Sequence, residues 1–227
     1  MVGAAAAHGP WAILTDRAVT SLARMASPTP ASPPAGRLVL LRHGETEWSR
    51  DGRHTGSTDL PLTDEGRARA TQAAARLEER GIRPVLTLTS DLRRARDTAT
   101  LAGLEASVDT DLREWDYGAY EGRSTAQIRE ELGTDWDVFR DGVLPGATPG
   151  ETVEEVAARA SRVLARVRPH LHDGDVVLVG HGHTSRILAT VWLRTSPRLA
   201  AQLTLDASRL AVLGHHREDP CIISWNC

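Results

Sequence analysis

Three short apolar runs, at residues 38–41 (LVLL), 85–88 (VLTL) and 176–179 (VVLV), stand among longer segments whose apolar residues recur at helical spacing. Strands of this kind must be covered on both faces, and the stretches between them are long enough to hold helices. The pattern therefore predicts an α/β fold: a three-layer sandwich with a mostly parallel central sheet and helices on both faces. Helix ends are punctuated in the sequence. Thr63 precedes Asp64 and Glu65 at the head of a segment that ends at Gly81, and Ser90 opens and Gly103 closes the next. Ser124 with Gln127, and Thr152 with Glu155, have capping-box spacing. The second box precedes Val153, Val156, Ala160, Val163, Leu164 and Val167 at helical intervals, and a final helix is expected over about residues 183–193. Residues 209–213 and 221–225 flank a polar Arg-Glu-Asp-Pro turn and predict a late antiparallel edge pair.

The chain has 227 residues, 41% hydrophobic and 25% charged, enough for one core, expected over residues 37–227. Residues 1–36 differ in composition, with an Ala run at 4–7 and a Pro/Ser/Thr-rich stretch at 27–34, and read as a disordered extension. Within it, residues 11–22 suit a short amphipathic helix, and Met25 offers a second initiator. A misassigned start and a functional arm fit the sequence equally. His8, Pro10 and Asp16 interrupt what a secretory signal would need. The 27 basic and 30 acidic residues are interleaved, for a net charge of -3, which argues against a nucleic-acid surface. Cys221 and Cys227 are the two cysteines, read as free thiols of a reducing, cytoplasmic protein. No apolar run approaches the ~20 residues of a membrane span. The sequence leaves the oligomeric state open, with a homodimer among the options.

The residues after the three apolar runs carry chemistry. They are Arg42-His43-Gly44, then Ser90 to Arg94, then Gly180-His181-Gly182-His183. Ligand crevices of open α/β sheets lie beyond the carboxyl ends of strands, so neighbouring strands would bring two histidines and two arginines together. Guanidinium groups match the oxygens of a phosphate monoester with fixed geometry, a role for Arg42 and Arg94. A neutral imidazole with one ring N–H fixed is a competent nucleophile, a role for His43, with Gly44 leaving the approach uncrowded. His181, protonated beside the phosphate, would stabilise charge on the equatorial oxygens.

The run LVLLRHGETEW at 38–48 resembles the signature of the histidine phosphatase superfamily, which includes the phosphoglycerate mutases. GRHTG at 52–56 through LTDEG at 62–66, SDLRRARDTA at 90–99, DLREWDYGAYEG at 111–122 and VGHGHTSR at 179–186 resemble further family motifs, in order. The resemblance implies a phosphohistidine on His43, a phosphate site containing Arg42, Arg94 and His181, and Glu114 as proton donor. It further implies substrate contacts from Ser49, Thr55, Gly56, Tyr117 and Gly182. Ser49 departs from the mutases, which carry asparagine there. Arg93 and Arg96 compete with Arg94 on the same helix, and Asp116 or Glu121 could replace Glu114. Trp48, Trp115 and Trp136 suit either pocket lining or core. The look is closest to actinobacterial acid phosphatases and fungal sedoheptulose bisphosphatases.

His181 and His183 form an H-x-H pair, with His215 and His216 as further donors, but the arginines already neutralise a phosphate and no carboxylate cluster accompanies them. No metal or cofactor is expected, and His215 and His216 have no assigned role. The leading expectation is a phosphomonoesterase acting on small phosphorylated metabolites. The alternatives are a phosphoglycerate mutase using the same adduct and a non-catalytic phosphate-binding module. Mutases carry paired arginines and a lysine in a long insertion after the glutamate motif, whereas residues 122–150 here hold no lysine and only isolated Arg123, Arg129 and Arg140. That difference favours hydrolysis.

Overall fold

The computed structural model describes residues 34–227. The expected extension, its helix at 11–22 and Met25 fall almost wholly outside the described residues. Strand β1 (Leu38–Arg42) is central: it pairs in parallel with β4 (Asp175–Gly180) and antiparallel with β5 (Leu210–His216), and its four apolar residues are buried because helices cover both faces. A fully buried Leu or Val contributes about 1.5–3 kcal/mol over an exposed one, so such a strand needs no amphipathic alternation to be stable. On the far side of β4 lie β2 (Pro84–Thr89) and the two-residue β3 (Ser107–Val108), both parallel. The hairpin partner β6 (Asp219–Trp225) completes the order β3-β2-β4-β1-β5-β6.

Alternate residues of the strands feed two separate cores. Leu38, Leu40, Val176, Leu178, Ala211 and Leu213 pack against α6 (Val153–Val167) and α7 (Gly182–Trp192). Val39, Leu41, Val177, Val179, Leu210 and Val212 pack against α2 (Asp64–Glu79) and α3 (Arg93–Leu101) on the other face. These are the three layers. A third cluster, including Trp115, Tyr117, Trp136, Phe139 and Ile187, lies off the sheet in the segment that carries α4 (Thr125–Leu132) and α5 (Val138–Asp141). Among the described residues, no helix is long and apolar enough to cross a membrane.

The caps follow the sequence: Thr63 Oγ1 accepts from Gly66 N, and both capping boxes form, at Ser124 with Gln127 and Thr152 with Glu155. Three expectations need correction. Strand β2 is not covered on both faces: Val85 is 51% exposed, because the sheet beyond β2 consists of two residues and the β2–β4 register shifts between Pro84 and Leu86. Ser90 does not open α3. Its Oγ accepts from Leu92 N and shapes the approach, while the helix starts at Arg93 with Leu92 as an N-cap lacking a side-chain bond. The last turn is tighter than four residues, since β5 extends through His216 and β6 begins at Asp219, with Arg217 at a φ of 59° between them.

Candidate active site

In the register of the sheet, Arg42 faces Gly180 and Thr89 faces Val179, so β1, β4 and β2 end together and their polar continuations meet at one edge. His43 follows β1, anchored by its N–H to Gly180 O at 2.9 Å. Its Nδ1 lies 2.6 Å from Gly44 O. A carbonyl can only accept, so Nδ1 carries the proton and Nε2 keeps the lone pair. Burial, then Arg94 and Arg42, push the His43 pKa well below the ordinary imidazole value, so the ring is neutral at pH 7. Gly44 serves in a way the sequence did not suggest: a Cβ there would meet Gly66 O at 2.5 Å, so the glycine lets the start of α2 approach the loop.

His181 is fully buried, its ring 5.1 Å from that of His43. Arg94 Nε donates to its Nδ1 at 3.2 Å, which leaves the proton on Nε2, a buried donor with no partner among the described residues. Burial and Arg94 hold its pKa well below the usual range, which corrects the expectation of a protonated ring: in this structure His181 is a neutral donor. Arg94 is equally buried, and neither His181 nor Arg94 forms part of the cleft wall. Its Nη1 donates to Thr58 O at 2.8 Å and its Nη2 to Thr55 O and Gly56 O at 3.0 and 2.8 Å. The arginine expected to grip the phosphate instead commits most of its N–H groups to a loop and to His181. Arg93 pairs with Asp97 on the surface, so the register that selects Arg94 is the one that puts an arginine inside.

The same loop holds Gly56, whose N–H donates to the Glu121 carboxylate at 2.9–3.0 Å, as does Thr58 N at 3.0 Å. Gly56 is thus not a cleft residue, and its N–H is not free for substrate. Glu121, considered as an alternative acid, is a loop clamp. Asp116 has a similar task, accepting from Gly118 N and Gly150 N.

Glu114 sits against the start of α7. Its Oε1 accepts from Trp115 N, Thr184 N and Thr184 Oγ1 at 3.0, 2.9 and 3.1 Å, and its Oε2 from His183 N at 3.0 Å. Burial alone would raise its pKa, but the bonds from Thr184, Trp115 and His183 outweigh it and hold the carboxyl below its usual value. A carboxylate at a helix N-terminus is stabilised in the same sense by the aligned backbone dipoles. The free protein therefore presents Glu114 as an anion, not as a preformed acid.

His43 and Glu114 open into a cleft of about 300 Å³. Arg42, His43, Glu114, Tyr117 and Gly182 line its deep end. Arg42 Nη1 donates to Leu205 O at 2.6 Å, while its Nε is buried without a partner among the described residues, and a Cβ on Gly182 would lie 3.2 Å from the Arg42 guanidinium carbon. Tyr117 is hydrogen-bonded through its hydroxyl to His183 Nδ1. Ser49 lines the cleft too, yet its Oγ closes the cap of α1 (Glu47–Arg50) by accepting from Thr46 N at 2.9 Å. Thr55 is beside it. Trp115 and Trp136 belong to the core cluster and Trp48 lies under Gly122, and none of the three lines the cleft.

Further lining residues have no counterpart among the expected contacts: Arg53, His54, Thr125, Arg186, Thr204 and Asp206. Arg186 had a signal, since it follows Gly182 by four residues on one helix and so shares its face. Asp206 had none, as it depends on the chain end: Asn226 Nδ2 donates to its Oδ2 at 3.0 Å. Among the described residues, no group of three or more His, Cys, Asp or Glu is placed to hold a metal ion. The Nδ1 atoms of His181 and His183 are engaged by Arg94 and Tyr117. His215 packs on Trp192 at 5.0 Å, away from the cleft.

The chain belongs to the histidine phosphatase superfamily (branch 1), whose family model matches residues 38–227. It is 41% identical over 179 residues to an acid phosphatase of Mycobacterium tuberculosis (strain ATCC 25618 / H37Rv), covering 78% of this chain and 86% of that protein. It is 37% identical over 185 residues to the sedoheptulose 1,7-bisphosphatase of Saccharomyces cerevisiae, covering 69% and 67%. A 2,3-bisphosphoglycerate-dependent phosphoglycerate mutase of Chelativorans sp. (strain BNC1) is 35% identical over 170 residues, covering 69% and 81%. The fold is also similar to the solved structure of a functionally characterised open reading frame product of Mycobacterium tuberculosis. That match has a TM-score of 0.79 and 39% identity, and it covers 85% of this chain and 97% of that one.

Proposed function

We propose that this chain is a phosphomonoesterase of small phosphorylated metabolites and that His43 is its nucleophile. The observation that carries the reading is the neutral His43 ring, with Nδ1–H fixed on Gly44 O and Nε2 free, at the deep end of a cleft shared with Arg42. In the first step Nε2 bonds to phosphorus as the bond to the leaving oxygen breaks, and that oxygen takes up a proton. In the second, water attacks phosphorus, the N–P bond breaks, and Glu114 accepts the water proton. Arg42 and the Nε2–H of His181 hold the transferring oxygens, and Arg94 positions His181.

The proton for the leaving oxygen enters with the substrate. The second ionisation of a phosphate ester lies near about 6, and a dianion set beside a carboxylate raises the carboxyl pKa. Below that pH, phosphate and Glu114 share one proton, which the leaving oxygen takes. An acid optimum follows for alkyl phosphates.

Hydrolysis is favoured over mutase chemistry by the three arginines after the glutamate motif. Arg123 pairs with Glu131, Arg129 Nε donates to Trp136 O, and Arg140 pairs with Asp135 and Asp141. None of the three lines the cleft. The test is to quench turnover without acid and isolate a phosphoenzyme that is stable to alkali and labile to acid. His43→Ala should remove the adduct and lower turnover by about 10⁴-fold or more. Near-normal turnover of that variant would overturn the assignment, and transfer of phosphate to an added phosphoglycerate in preference to water would favour the mutase.

A further inference from the structure

Arg159 of α6 is buried, and each of the five N–H groups of its guanidinium has an acceptor. Nε donates to Glu151 Oε1 at 2.8 Å, Nη1 to Asp111 O and Arg113 O at 2.9 and 2.6 Å, and Nη2 to Glu151 Oε2 and Thr184 Oγ1 at 3.1 and 3.2 Å. A fork satisfied in this way is fixed in its plane, and Glu151 balances its charge. What Arg159 passes on to the site is therefore direction. The Thr184 hydroxyl receives the Nη2 proton on its acceptor side, so its own proton must point away from Arg159. Two acceptors lie within reach, Arg113 O at 2.8 Å and Glu114 Oε1 at 3.1 Å. Glu114 uses its two oxygens unequally. Oε1 takes Trp115 N, Thr184 N and the hydroxyl, whereas Oε2 takes only His183 N among the described residues and is the oxygen left for the cleft. Neither Thr184 nor Arg159 lines the cleft, so neither touches a substrate there.

We infer that Thr184, oriented by Arg159, is a positioning residue for proton transfer at Glu114. While the carboxyl is ionised, the hydroxyl donates to Oε1; when Oε2 carries the proton destined for the leaving oxygen, the hydroxyl turns to Arg113 O. Only a hydroxyl hydrogen rotates, and no buried donor is left without an acceptor in either state. One carboxyl can then serve as acid in the first step and as base in the second. The inference rests on the phosphomonoesterase reading and deepens it by naming what lets Glu114 alternate. Other charged and titratable groups also face this carboxyl: Arg42 and His43 at the end of β1, Arg94 in α3, His183 and Arg186 in α7, and His54 and Tyr117. All of them remain when Thr184 is replaced, so a changed pH dependence reports the hydroxyl.

The test measures single-turnover rates against pH on a sugar monophosphate and on p-nitrophenyl phosphate. Removing a hydrogen bond to the charged form raises a carboxyl pKa. Thr184→Val, close to threonine in volume, should therefore shift upward, by about one pH unit, the point above which the sugar phosphate rate falls, with little change in substrate affinity. Thr184→Ser, which keeps the hydroxyl, should return that point to its wild-type position. The p-nitrophenyl ester needs no proton on its leaving oxygen, so its profile should show no such shift. Thr184→Ala should shift the sugar phosphate profile in the same direction as Thr184→Val, and it takes the place of that variant if the valine is not accommodated in the fold. An unmoved profile, or equal losses on both esters at every pH, would show that Thr184 only braces α7, and the phosphatase reading would stand. If wild-type protein hydrolyses neither ester, the phosphatase reading fails instead. Titration of the Glu114 carboxyl carbon by NMR, which needs no turnover, then decides the role of Thr184: the valine or alanine variant should take up the proton at higher pH than wild type, and coincident titrations overturn the inference.

Discussion

The deep end of the cleft and its mouth are built by different means. At the deep end, backbone groups fix the polar atoms: Gly44 O sets the His43 tautomer, the first N–H groups of α7 hold Glu114, and three loop carbonyls hold Arg94. At the mouth the groups are side chains from separate segments, with Arg53 and His54 before α2, Thr125 in α4, Arg186 in α7 and Asp206 before β5. Strand ends and helix starts are the most rigid positions of an α/β fold, and a reacting centre needs groups held to a fraction of an ångström. The mouth needs only to choose among substrates, so it can vary while the deep end does not. Changes at the deep end should therefore alter chemistry for every substrate, and changes at the mouth should alter preference or stability.

The largest effect that tests this division is expected from Glu114→Gln. An alkoxide needs a proton as it leaves, whereas p-nitrophenolate is stable as an anion, so a proton-transfer role makes the loss depend on the leaving group. Single-turnover rates on a sugar phosphate should fall by about 10²-fold or more, and far less on p-nitrophenyl phosphate. Steady-state rates do not separate the steps, because the same carboxylate takes the water proton in the second one. Equal losses on the two esters in single turnover would mean that Glu114 only braces the start of α7. The proton donor would then have to be sought elsewhere, since Asp116 and Glu121 are both spent on backbone N–H groups.

The division also decides what could be read in the sequence. The three apolar runs and the caps on α2, α4 and α6 are local patterns, and they place His43, His181 and the helix of Arg94 correctly at one sheet edge. The protonation of the site was not legible, because it depends on who donates to whom. A lone Glu in a loop does not reveal that two N–H groups of a helix seventy residues later will keep it ionised. Nor does an Arg in a family motif reveal that its fork is turned to Thr55, Gly56 and Thr58. Arg94→Lys separates the two roles. An ammonium cannot reach three carbonyls and His181 at once, and leaving buried acceptors unpaired costs about 1–3 kcal/mol each. The variant should melt several degrees lower, at about 2–4 °C per kcal/mol for a domain of this size, with kcat falling more than KM rises. Unchanged melting with a large rise in KM would make Arg94 a direct phosphate ligand and move it to the wall of the cleft.

The smallest effect is expected from His54, at the mouth, and concerns stability. Its Nε2 is 3.2 Å from Thr125 Oγ1, its ring packs on Tyr117 and Trp136, and burial lowers its pKa to about 4. An unfolded histidine titrates near about 6.5. Between those two values the unfolded chain binds a proton that the folded chain refuses, so stability is full above about 6.5 and falls as the pH drops toward 4. At pH 5 this one ring accounts for roughly 2 kcal/mol of loss relative to pH 7. His43, His181 and His183, also pushed below their ordinary value by burial, act in the same direction. His54→Gln removes one titrating group and keeps a polar atom near Thr125. Chemical denaturation at pH 7 should show it less stable than the parent, by about 1 kcal/mol for the weakened packing and hydrogen bond. At pH 5 the deficit should vanish or reverse. Parallel losses in parent and variant between pH 7 and pH 5 would mean that His54 is solvated enough to titrate normally in the fold. The mouth would then be an open rim rather than a wall packed against the aromatic cluster.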